Sequence, residues 1–328
     1  MTRVYQKAFF KNKIVPIAEA TLNVASSAVL YGLSVCTVFP ILIAGGSVAA
    51  FRLRDHFQRL VNSAQIIGID SLEPTWTYEA LQQAVRALAQ ENSVAEMAFV
   101  RVGVHADELV PGTRSRGLAT TLSMFVYEAT PIVPQNGARL KTSVWRRIPD
   151  YAIPSRAKVN GAYVNSVLAR QDALDCGYDD CIFLDAGGHV CELSAGNIFI
   201  VRDGTLITPD AASDVLEGIN RRTIFEFACD LSIPLVERRV DLTELYIADE
   251  VFTCGTSTFI SAVKEIDGRT IGRSLVGPIT QRIREKQERV FRGDEPSYLR
   301  YLTFLYKRAM DCGQHEEVEA IGLSATRR

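Results

Sequence analysis

The sequence lacks the features that mark nucleic-acid-binding and zinc proteins. Its formal net charge is −2, its pI is about 6.2, and no long basic run occurs. The doublets Arg146-Arg147 and Arg221-Arg222 are too short to form an electrostatic footprint for a nucleic acid. Only four histidines are present, and none lies at ligand spacing from a pair of cysteines, which argues against zinc. We therefore expect neither a nucleic-acid partner nor a metal ion.

The cysteines argue against a disulfide framework. There are seven of them, an odd number, and they form no CxxC pair in a chain of 328 residues. The N-terminus also lacks the early apolar core and the small-residue cleavage site of a signal peptide. These absences predict a soluble protein with reduced thiols in the cytoplasm.

One long stretch has no charge at all. Residues 21–51 contain no Asp, Glu, Lys or Arg, and by length alone such a run can span a membrane. Glycines and a proline interrupt it, and Gly45-Gly46 is a hairpin-turn signal between the β-prone runs 35–44 and 47–53. The run therefore predicts paired strands rather than a membrane helix.

Chain length and the order of predicted elements indicate two domains. Apolar residues at helical spacing predict helices near 53–67, 77–90, 162–174, 218–231 and 278–292. The prolines and glycine around 131–137 indicate a connector. The predicted division is a small N-terminal α/β domain over 1–127, a connector over 128–140, a large domain over 141–295, and a C-terminal helical or tail segment over 296–328.

Lysine is scarce, with eight lysines against 28 arginines, so each can be weighed. Most lie in polar turns or on charged faces. Lys158 differs because small residues surround it, and Tyr163 follows just before a predicted helix. Such neighbours can partly desolvate an amine, which suits a lysine that reacts with a carbonyl group.

Several motifs combine around this lysine in one order and spacing. In chain order they are Leu30-Tyr31-Gly32, Phe57-Gln58-Arg59-Leu60, Arg156-Ala-Lys158-Val-Asn-Gly-Ala-Tyr163, Phe183-Leu-Asp185, Glu192-Leu-Ser-Ala-Gly-Asn197-Ile-Phe199, Leu216-Glu-Gly218-Ile-Asn-Arg221 and Ala248-Asp-Glu-Val-Phe252-Thr-Cys-Gly255-Thr256. Over roughly residues 20–290 the chain resembles the class-IV aminotransferases, which include branched-chain and D-amino-acid aminotransferases and aminodeoxychorismate lyases. The resemblance implies an α+β fold of two α/β domains, the fold type IV of pyridoxal-phosphate enzymes, with the cofactor in the cleft between them.

The resemblance implies pyridoxal 5′-phosphate as the cofactor. Lys158 would hold it covalently and carry the proton during the reaction. Glu192 would contact the ring nitrogen, and Tyr163 the oxygen at ring position 3. Gly218-Ile219-Asn220 opens an amphipathic helix, so its free N–H groups suit a phosphate. The full set of expected cofactor-binding residues is Arg59, Lys158, Tyr163, Glu192, Gly218, Ile219, Asn220, Gly255 and Thr256.

The positions expected to bind substrate depart from the family pattern. By resemblance these positions are Tyr31, Phe99, Arg101, Thr256 and Ser257. Branched-chain enzymes usually carry an aromatic-Glu-Gly triplet where this chain has Cys36-Thr37-Val38, and a tyrosine where it has Phe99. Arg101 is retained and would take the distal carboxylate of glutamate or 2-oxoglutarate.

These observations predict an aminotransferase that moves an amino group between an amino acid, branched-chain or otherwise hydrophobic, and a 2-oxo acid such as 2-oxoglutarate. The altered pocket favours a role in a specialised pathway. Two alternatives on the same fold stay open: a lyase resembling aminodeoxychorismate lyase, and a D-amino-acid aminotransferase. A scaffold without catalysis is disfavoured because Lys158, Tyr163, Glu192 and Arg59 are all present. The resemblance also implies a homodimer or a higher homo-oligomer.

Overall fold

The computed structural model describes residues 3–308, which form strands and helices in alternation. In chain order the strands are β1 (Arg3–Phe10), β2 (Lys13–Pro16), β3 (Ser34–Ala44), β4 (Ser47–Phe51), β5 (Ala98–Ala106), β6 (Thr120–Glu128), β7 (Asn136–Thr142), β8 (Asp180–Leu184), β9 (Val190–Leu193), β10 (Asn197–Arg202), β11 (Thr205–Thr208), β12 (Leu235–Glu237), β13 (Glu250–Gly255), β14 (Phe259–Ile266), β15 (Arg269–Thr270) and β16 (Leu302–Lys307). The α-helices are α1 (Ser27–Tyr31), α2 (Leu53–Ile66), α3 (Leu72–Thr75), α4 (Tyr78–Glu91), α5 (Tyr163–Asp175), α6 (Ile219–Asp230), α7 (Leu242–Tyr246) and α8 (Pro278–Arg292). Short 3-10 helices lie at Ile17–Glu19 and Pro296–Tyr301.

Among these residues, seven strands form the first sheet, in the order β16-β4-β3-β5-β6-β1-β2. The uncharged run supplies its centre: β3 and β4 pair antiparallel around Gly45 and Gly46, whose positive φ angles of 53° and 74° suit glycine in a tight turn. The hairpin prediction is therefore confirmed. No helix within residues 3–308 is long and apolar enough to cross a membrane.

The second sheet closes on itself. Its strand path over the described residues runs β12-β11-β10-β13-β14-β7-β8-β9, with β15 beside β14. Strand β9, at the end of this path, also pairs with β10, so the strands from β10 to β9 form a closed ring. The register of that pairing places Asn197 opposite Glu192. The pairing of β9 with β10 thus fixes the Glu192 carboxylate and the Asn197 amide side by side.

A shared core joins the two sheets. Helices α2 and α4 cover one face of the first sheet with apolar residues at helical spacing, such as Leu60 and Ala64 of α2. The opposite face of the β3–β4 hairpin packs against α6, α8 and the second sheet, where Phe51, Phe199 and Phe227 are fully buried. Because the core is continuous across the join, side chains from both sheets can meet in one site.

Two segments differ from the sequence-based expectation. Residues 136–140, predicted as the end of a connector, form the start of β7, which pairs in parallel with β14 and β8. The predicted C-terminal helix is wrong for 302–307, because these residues form β16 and pair with β4. Residues 309–328 of that predicted tail lie outside the described residues. The exact domain boundaries stay a prediction.

Candidate active site

A cavity of about 290 Å³ lies where the two sheets meet. One wall comes from the first sheet and α2, and the other from the segment before α5, the β9–β10 turn, the start of α6 and the turn after β13. Its charged and polar lining consists mainly of Arg59, Arg101, Tyr127, Arg147, Lys158, Tyr163, Glu192, Asn197, Asn220, Thr256 and Ser257.

Lys158 is anchored through its backbone. Its N–H donates to the Ser63 hydroxyl on α2 at 3.0 Å, and its carbonyl oxygen accepts from the Cys36 N–H on β3 at 2.9 Å. The half-buried side chain extends into the cavity, where Nζ donates a hydrogen bond to the Tyr163 hydroxyl. Tyr163 opens α5, so the first turn of that helix sets the position of the phenol. A reactive amine and a phenol are therefore held together on the cavity wall.

Glu192 is a buried carboxylate with three protein partners. One oxygen lies 2.9 Å from Arg147 Nη2. The other accepts from Asn197 Nδ2 at 3.1 Å and from the Leu216 N–H at 3.2 Å. Burial raises the pKa of the Glu192 carboxyl, while the positive charge of Arg147 and the Leu216 N–H act in the opposite direction. The ion pair and hydrogen bonds therefore favour the ionised form in a site that would otherwise neutralise it.

Arg59 contributes a half-buried positive charge that has no carboxylate partner within residues 3–308. Its Nη2 donates to the Thr37 hydroxyl at 3.1 Å, and its Nε is buried with no hydrogen-bond partner among the described side chains. Burial lowers the pKa of the guanidinium below its ordinary value. A buried donor of this kind is costly unless an anion pairs with it, so Arg59 indicates an anion site.

Two glycine turns lie beside this charge. Gly218 is the N-cap of α6 and no side chain caps that helix, so its first N–H groups are available. A Cβ at Gly218 would lie 2.1 Å from the Asn197 Oδ1, which excludes any larger residue while Asn197 keeps its place. Gly255 is similarly close-packed, since a Cβ there would lie 2.8 Å from the Thr258 Oγ1. The Thr256 hydroxyl donates to the Val38 carbonyl at 3.2 Å and ties this turn to β3.

The other end of the cavity combines a cation with aromatic surface. Arg101 Nη2 donates to Asn160 Oδ1 at 2.7 Å and approaches the Cys36 sulfur at 3.3 Å. No Asp or Glu side chain within residues 3–308 forms a salt bridge with Arg101 under a 4.0 Å limit. Burial raises the pKa of Tyr127, and a hydrogen bond with the Ser257 side chain opposes that shift. This end can accept a carboxylate beside an apolar group.

The predicted site residues separate into two groups. All nine predicted cofactor-binding residues line the cavity, as do Arg101 and Ser257. Phe99 is buried behind the wall, with its ring centroid 5.5 Å from that of Tyr127. Tyr31 is about half exposed on α1 and is not part of the lining. The structure thus brings together the cofactor set but leaves two of the predicted substrate residues outside the cavity of this chain.

Several residues in the site were not predicted from the sequence. Arg147, noted only as half of a basic doublet, pairs with Glu192, and Asn160 holds Arg101. His56, one of the four histidines, contacts Thr37 behind Arg59. The sequence analysis singled out only Thr37, as part of the triplet that departs from the family pattern. Arg147, Asn160 and His56 gave no local signal, because their partners lie at distant positions in the chain.

This residue set fits the cofactor expected from the sequence. The unpartnered Arg59 Nε and the uncapped N-terminus of α6 suit a phosphate. Glu192 suits a protonated ring nitrogen, and Lys158 Nζ suits an aldehyde. Within residues 3–308 no group of three or more His, Cys, Asp or Glu side chains is arranged to hold a metal ion.

Comparison with known proteins agrees with this geometry. The sequence pattern of the family described as "Amino-transferase class IV" matches residues 38–266. The chain is 33% identical over 308 residues to a "Probable branched-chain-amino-acid aminotransferase" of Aquifex aeolicus (strain VF5), covering 92% of this chain and 97% of that protein.

Solved structures show the same likeness. The branched-chain aminotransferase of Thermoproteus uzoniensis, crystallised with norvaline, superposes with a TM-score of 0.88 at 37% identity, covering 92% of this chain and 100% of that one. The branched-chain amino acid aminotransferase of Thermobaculum terrenum, crystallised in its PLP-bound holo form, superposes with a TM-score of 0.85 at 29% identity, covering 92% and 99%.

Proposed function

The chain belongs to the class-IV aminotransferases, which depend on pyridoxal 5′-phosphate, and from that premise we propose that it exchanges an amino group between a branched-chain or other hydrophobic amino acid and a 2-oxo acid such as 2-oxoglutarate. The observation that carries the proposal is the convergence of Lys158, Glu192 and Arg59 on one cavity. When bound, pyridoxal phosphate supplies an aldehyde that takes the amino group and a ring that accepts electrons from the substrate Cα.

Lys158 would be the proton carrier. Its Nζ would take a proton from the substrate Cα and release it later in the reaction. The hydrogen bond to Tyr163 orients this amine. The backbone contacts of Lys158 with α2 and β3 keep the main chain fixed while the side chain moves. Lys158 therefore has both the reach and the anchorage that proton transfer requires.

Glu192 would hold the ring nitrogen in its protonated form. A buried carboxylate does this only while it stays ionised, and Arg147 at 2.9 Å supplies the charge that favours ionisation. Asn197 and the Leu216 N–H fix the orientation of the carboxylate. Arg59 and the N–H groups at the start of α6 would bind the phosphate at the opposite end of the cavity.

Arg101 would bind a substrate carboxylate. It lines the cavity without a salt-bridge partner among the described side chains, and Asn160 fixes its guanidinium. The neighbouring Val38, Tyr127 and Ile132 offer apolar surface to a hydrophobic side chain. The names of the relatives, branched-chain aminotransferases, support the same donor class. A site that alternates between a hydrophobic donor and a dicarboxylic acceptor needs both kinds of surface.

The decisive experiment maps the covalent attachment. After pyridoxal phosphate is added, borohydride reduction and peptide mapping should place the label on Lys158. K158A should lose the label and roughly a thousandfold or more of its transaminase rate. K264A, a change at an exposed lysine on β14 outside the cavity, is the control and should keep both. A label on another lysine, or none, contradicts the assignment.

A donor screen then identifies the substrates. Leu, Ile, Val and other hydrophobic amino acids, in both enantiomers, are supplied with 2-oxoglutarate while the cofactor absorbance is followed. We expect conversion with hydrophobic L-amino acids and loss of 2-oxoglutarate use in R101M, because Arg101 carries the charge for the distal carboxylate. Turnover without any acceptor would indicate a lyase reaction, and preference for D-enantiomers would indicate D-amino-acid transfer.

We further propose a homodimer of two-domain subunits. Apolar side chains are exposed around the start of α5, with Val164 and Val167 more than 60% accessible, and Trp145 lies in the adjacent segment. The two parts are linked because Asn165 Nδ2 donates to the Arg146 carbonyl at 3.1 Å. An exposed apolar patch of this kind is typical of a protein–protein interface. V167E should shift the sedimentation equilibrium toward monomer, whereas I66E on α2 should not.

A cytoplasmic location is part of this proposal. The six cysteines within the described residues are all free, and four of them are buried. Reduced buried thiols are typical of proteins that fold in a reducing compartment. Thiol labelling of the denatured protein without reductant, taken directly from cells, should modify every cysteine; protected pairs would contradict the assignment.

A further inference from the structure

Two side chains that do not line the cavity lie behind Arg59, one in contact with it and the other in contact with the first. Thr37 lies on β3 and is fully buried, and His56 lies on α2 one turn before Arg59 and is also buried. The Thr37 Oγ1 lies 2.8 Å from His56 Nδ1 and accepts a hydrogen bond from Arg59 Nη2 at 3.1 Å. The three groups form a chain that runs from the interior of the first sheet to the cavity wall.

The geometry of this chain fixes the guanidinium. His56 and Arg59 are three residues apart, so their side chains lie on the same face of α2. Thr37 projects from the neighbouring strand between them and contacts both. One Nη atom of Arg59 is therefore held by the protein, while its Nε has no partner within the described residues. A planar guanidinium held at one edge presents its remaining donors in a fixed direction.

The partners also leave the charge of Arg59 uncompensated. Thr37 is uncharged. His56 is neutral, because burial and four nearby cations lower its pKa well below the ordinary value of 6.5; these cations are Arg59, Lys158, Arg52 and Arg222. No carboxylate within residues 3–308 forms a salt bridge with Arg59 under a 4.0 Å limit. The positive charge of Arg59 is thus free to pair with an anion that enters the cavity.

We propose that Thr37 and His56 are positioning residues for Arg59, which they fix in place without cancelling its charge, so that the cofactor phosphate is the anion that pairs with it. The inference rests on the proposed function, since it presumes that pyridoxal phosphate occupies this cavity. It assigns a role to a position at which the chain departs from its family.

The test compares cofactor with and without its phosphate. Affinities for pyridoxal phosphate and for pyridoxal are measured by absorbance titration of cofactor-free wild type, T37V, T37S and T208V. Because T37V removes the hydroxyl and keeps the volume, we expect pyridoxal phosphate to bind about tenfold more weakly, the size of one lost hydrogen bond to a charged group. Pyridoxal binding should change little. T37S should restore the affinity.

T208V is the matched control. Thr208 is equally buried, and its hydroxyl donates to the Ile198 carbonyl at 2.8 Å, outside the cavity. It should bind both compounds as wild type does. A T37V protein that loses affinity for both compounds alike, or for neither, overturns the inference.

A double-variant cycle checks the route of the effect. In an R59M background, T37V should produce no further loss of pyridoxal phosphate affinity, because the group it positions is absent. An additive loss overturns the inference. Borohydride labelling of Lys158 in the same samples separates the two levels: absence of the label in wild type contradicts the proposed function, whereas a normal label with an unchanged affinity ratio contradicts only the role of Thr37 and His56.

Discussion

Two arginines seven residues apart, at the start and in the middle of the same helical segment, have opposite environments. Arg52 precedes α2 and is buried among partners: its guanidinium contacts Asp55 at 2.8 Å, the Thr223 hydroxyl at 2.6 Å and Glu226 at 2.5 Å, and its carbon Cζ lies 3.8 Å from the Tyr301 ring centroid. Within residues 3–308, Arg59 donates one side-chain hydrogen bond, to the neutral Thr37, and forms no salt bridge. The Nε of each arginine is buried without a hydrogen bond there, but the charge of Arg52 is paired with two carboxylates and that of Arg59 with none.

The difference indicates a structural role for Arg52 and a ligand-binding role for Arg59. Arg52 joins α2, α6 and the C-terminal 3-10 helix, so it fixes the two helices that carry the proposed phosphate donors. Arg222 adds a second link, at 2.7 Å from Asp55. These contacts fix α2, and with it the position of Arg59, relative to α6. An unpaired buried charge is tolerated there because a ligand is expected to complete it.

The largest expected effect is on stability, from R52M. Removing the guanidinium leaves Asp55 and Glu226 without their partner, and breaking a buried charge network costs roughly 3–5 kcal/mol. Urea denaturation of the cofactor-free protein measures the free energy of unfolding. R54M is the control, because Arg54 is largely exposed and its distance to Glu79 is 3.9 Å. If R52M loses no more stability than R54M, the structural role assigned to Arg52 is wrong.

R59M should show the reverse pattern. We expect pyridoxal phosphate to bind about 100-fold more weakly, since a charge-assisted contact to the phosphate is lost. The free energy of unfolding of the cofactor-free protein should stay unchanged or rise, because a buried unpaired cation is removed. Absorbance titration and urea denaturation give the two quantities. A large loss of stability in R59M would show that Arg59, like Arg52, has a structural role, which contradicts the prediction.

His56 lies near both arginines and should make stability depend on pH. The folded protein keeps it neutral, whereas the unfolded chain protonates it near pH 6.5, so unfolding takes up a proton in acid. His56 costs no stability above pH 6.5, and the free energy of unfolding declines as the pH falls below it, by at most about 1.4 kcal/mol per pH unit.

H56Q should flatten this dependence between pH 6.5 and 5, as measured by urea denaturation at several pH values. H105Q is a useful comparison, since burial lowers the pKa of His105 to about 4 at a place on β5 where Arg101 is the main neighbouring cation. An H56Q protein with the same slope as wild type contradicts a buried neutral His56.

The smallest effect is expected from Y301F. The Tyr301 hydroxyl donates to Glu226 at 2.7 Å, and a phenylalanine would keep the ring against Arg52 while losing that hydrogen bond. The free energy of unfolding should fall by about 1 kcal/mol, with no change in pyridoxal phosphate affinity. A change in affinity without a change in stability would place Tyr301 in the cofactor site rather than in the frame around it.

Local patterns predicted most of the regular structure. The helices expected near 53–67, 77–90, 162–174, 218–231 and 278–292 correspond to α2, α4, α5, α6 and α8 within two residues. Each carries an apolar face or a clear end signal, such as Pro278 at the start of α8 and Gly293 in the left-handed conformation at its end. Residues 136–140 of β7 and all of β16 were missed because their pairing partners are far away in the chain and leave no local signal.

The sequence by itself determined which groups are expected to bind the cofactor, because Lys158, Tyr163, Glu192 and the glycine turns lie in short motifs that resemble those of the class-IV aminotransferases. Only the tertiary structure decided how those groups are held. Arg147 reaches Glu192 across 45 positions, and Thr37 on β3 reaches Arg59 on α2. Such contacts depend on how strands, helices and connecting segments pack together, and packing follows from burial summed over the whole core rather than from any local pattern.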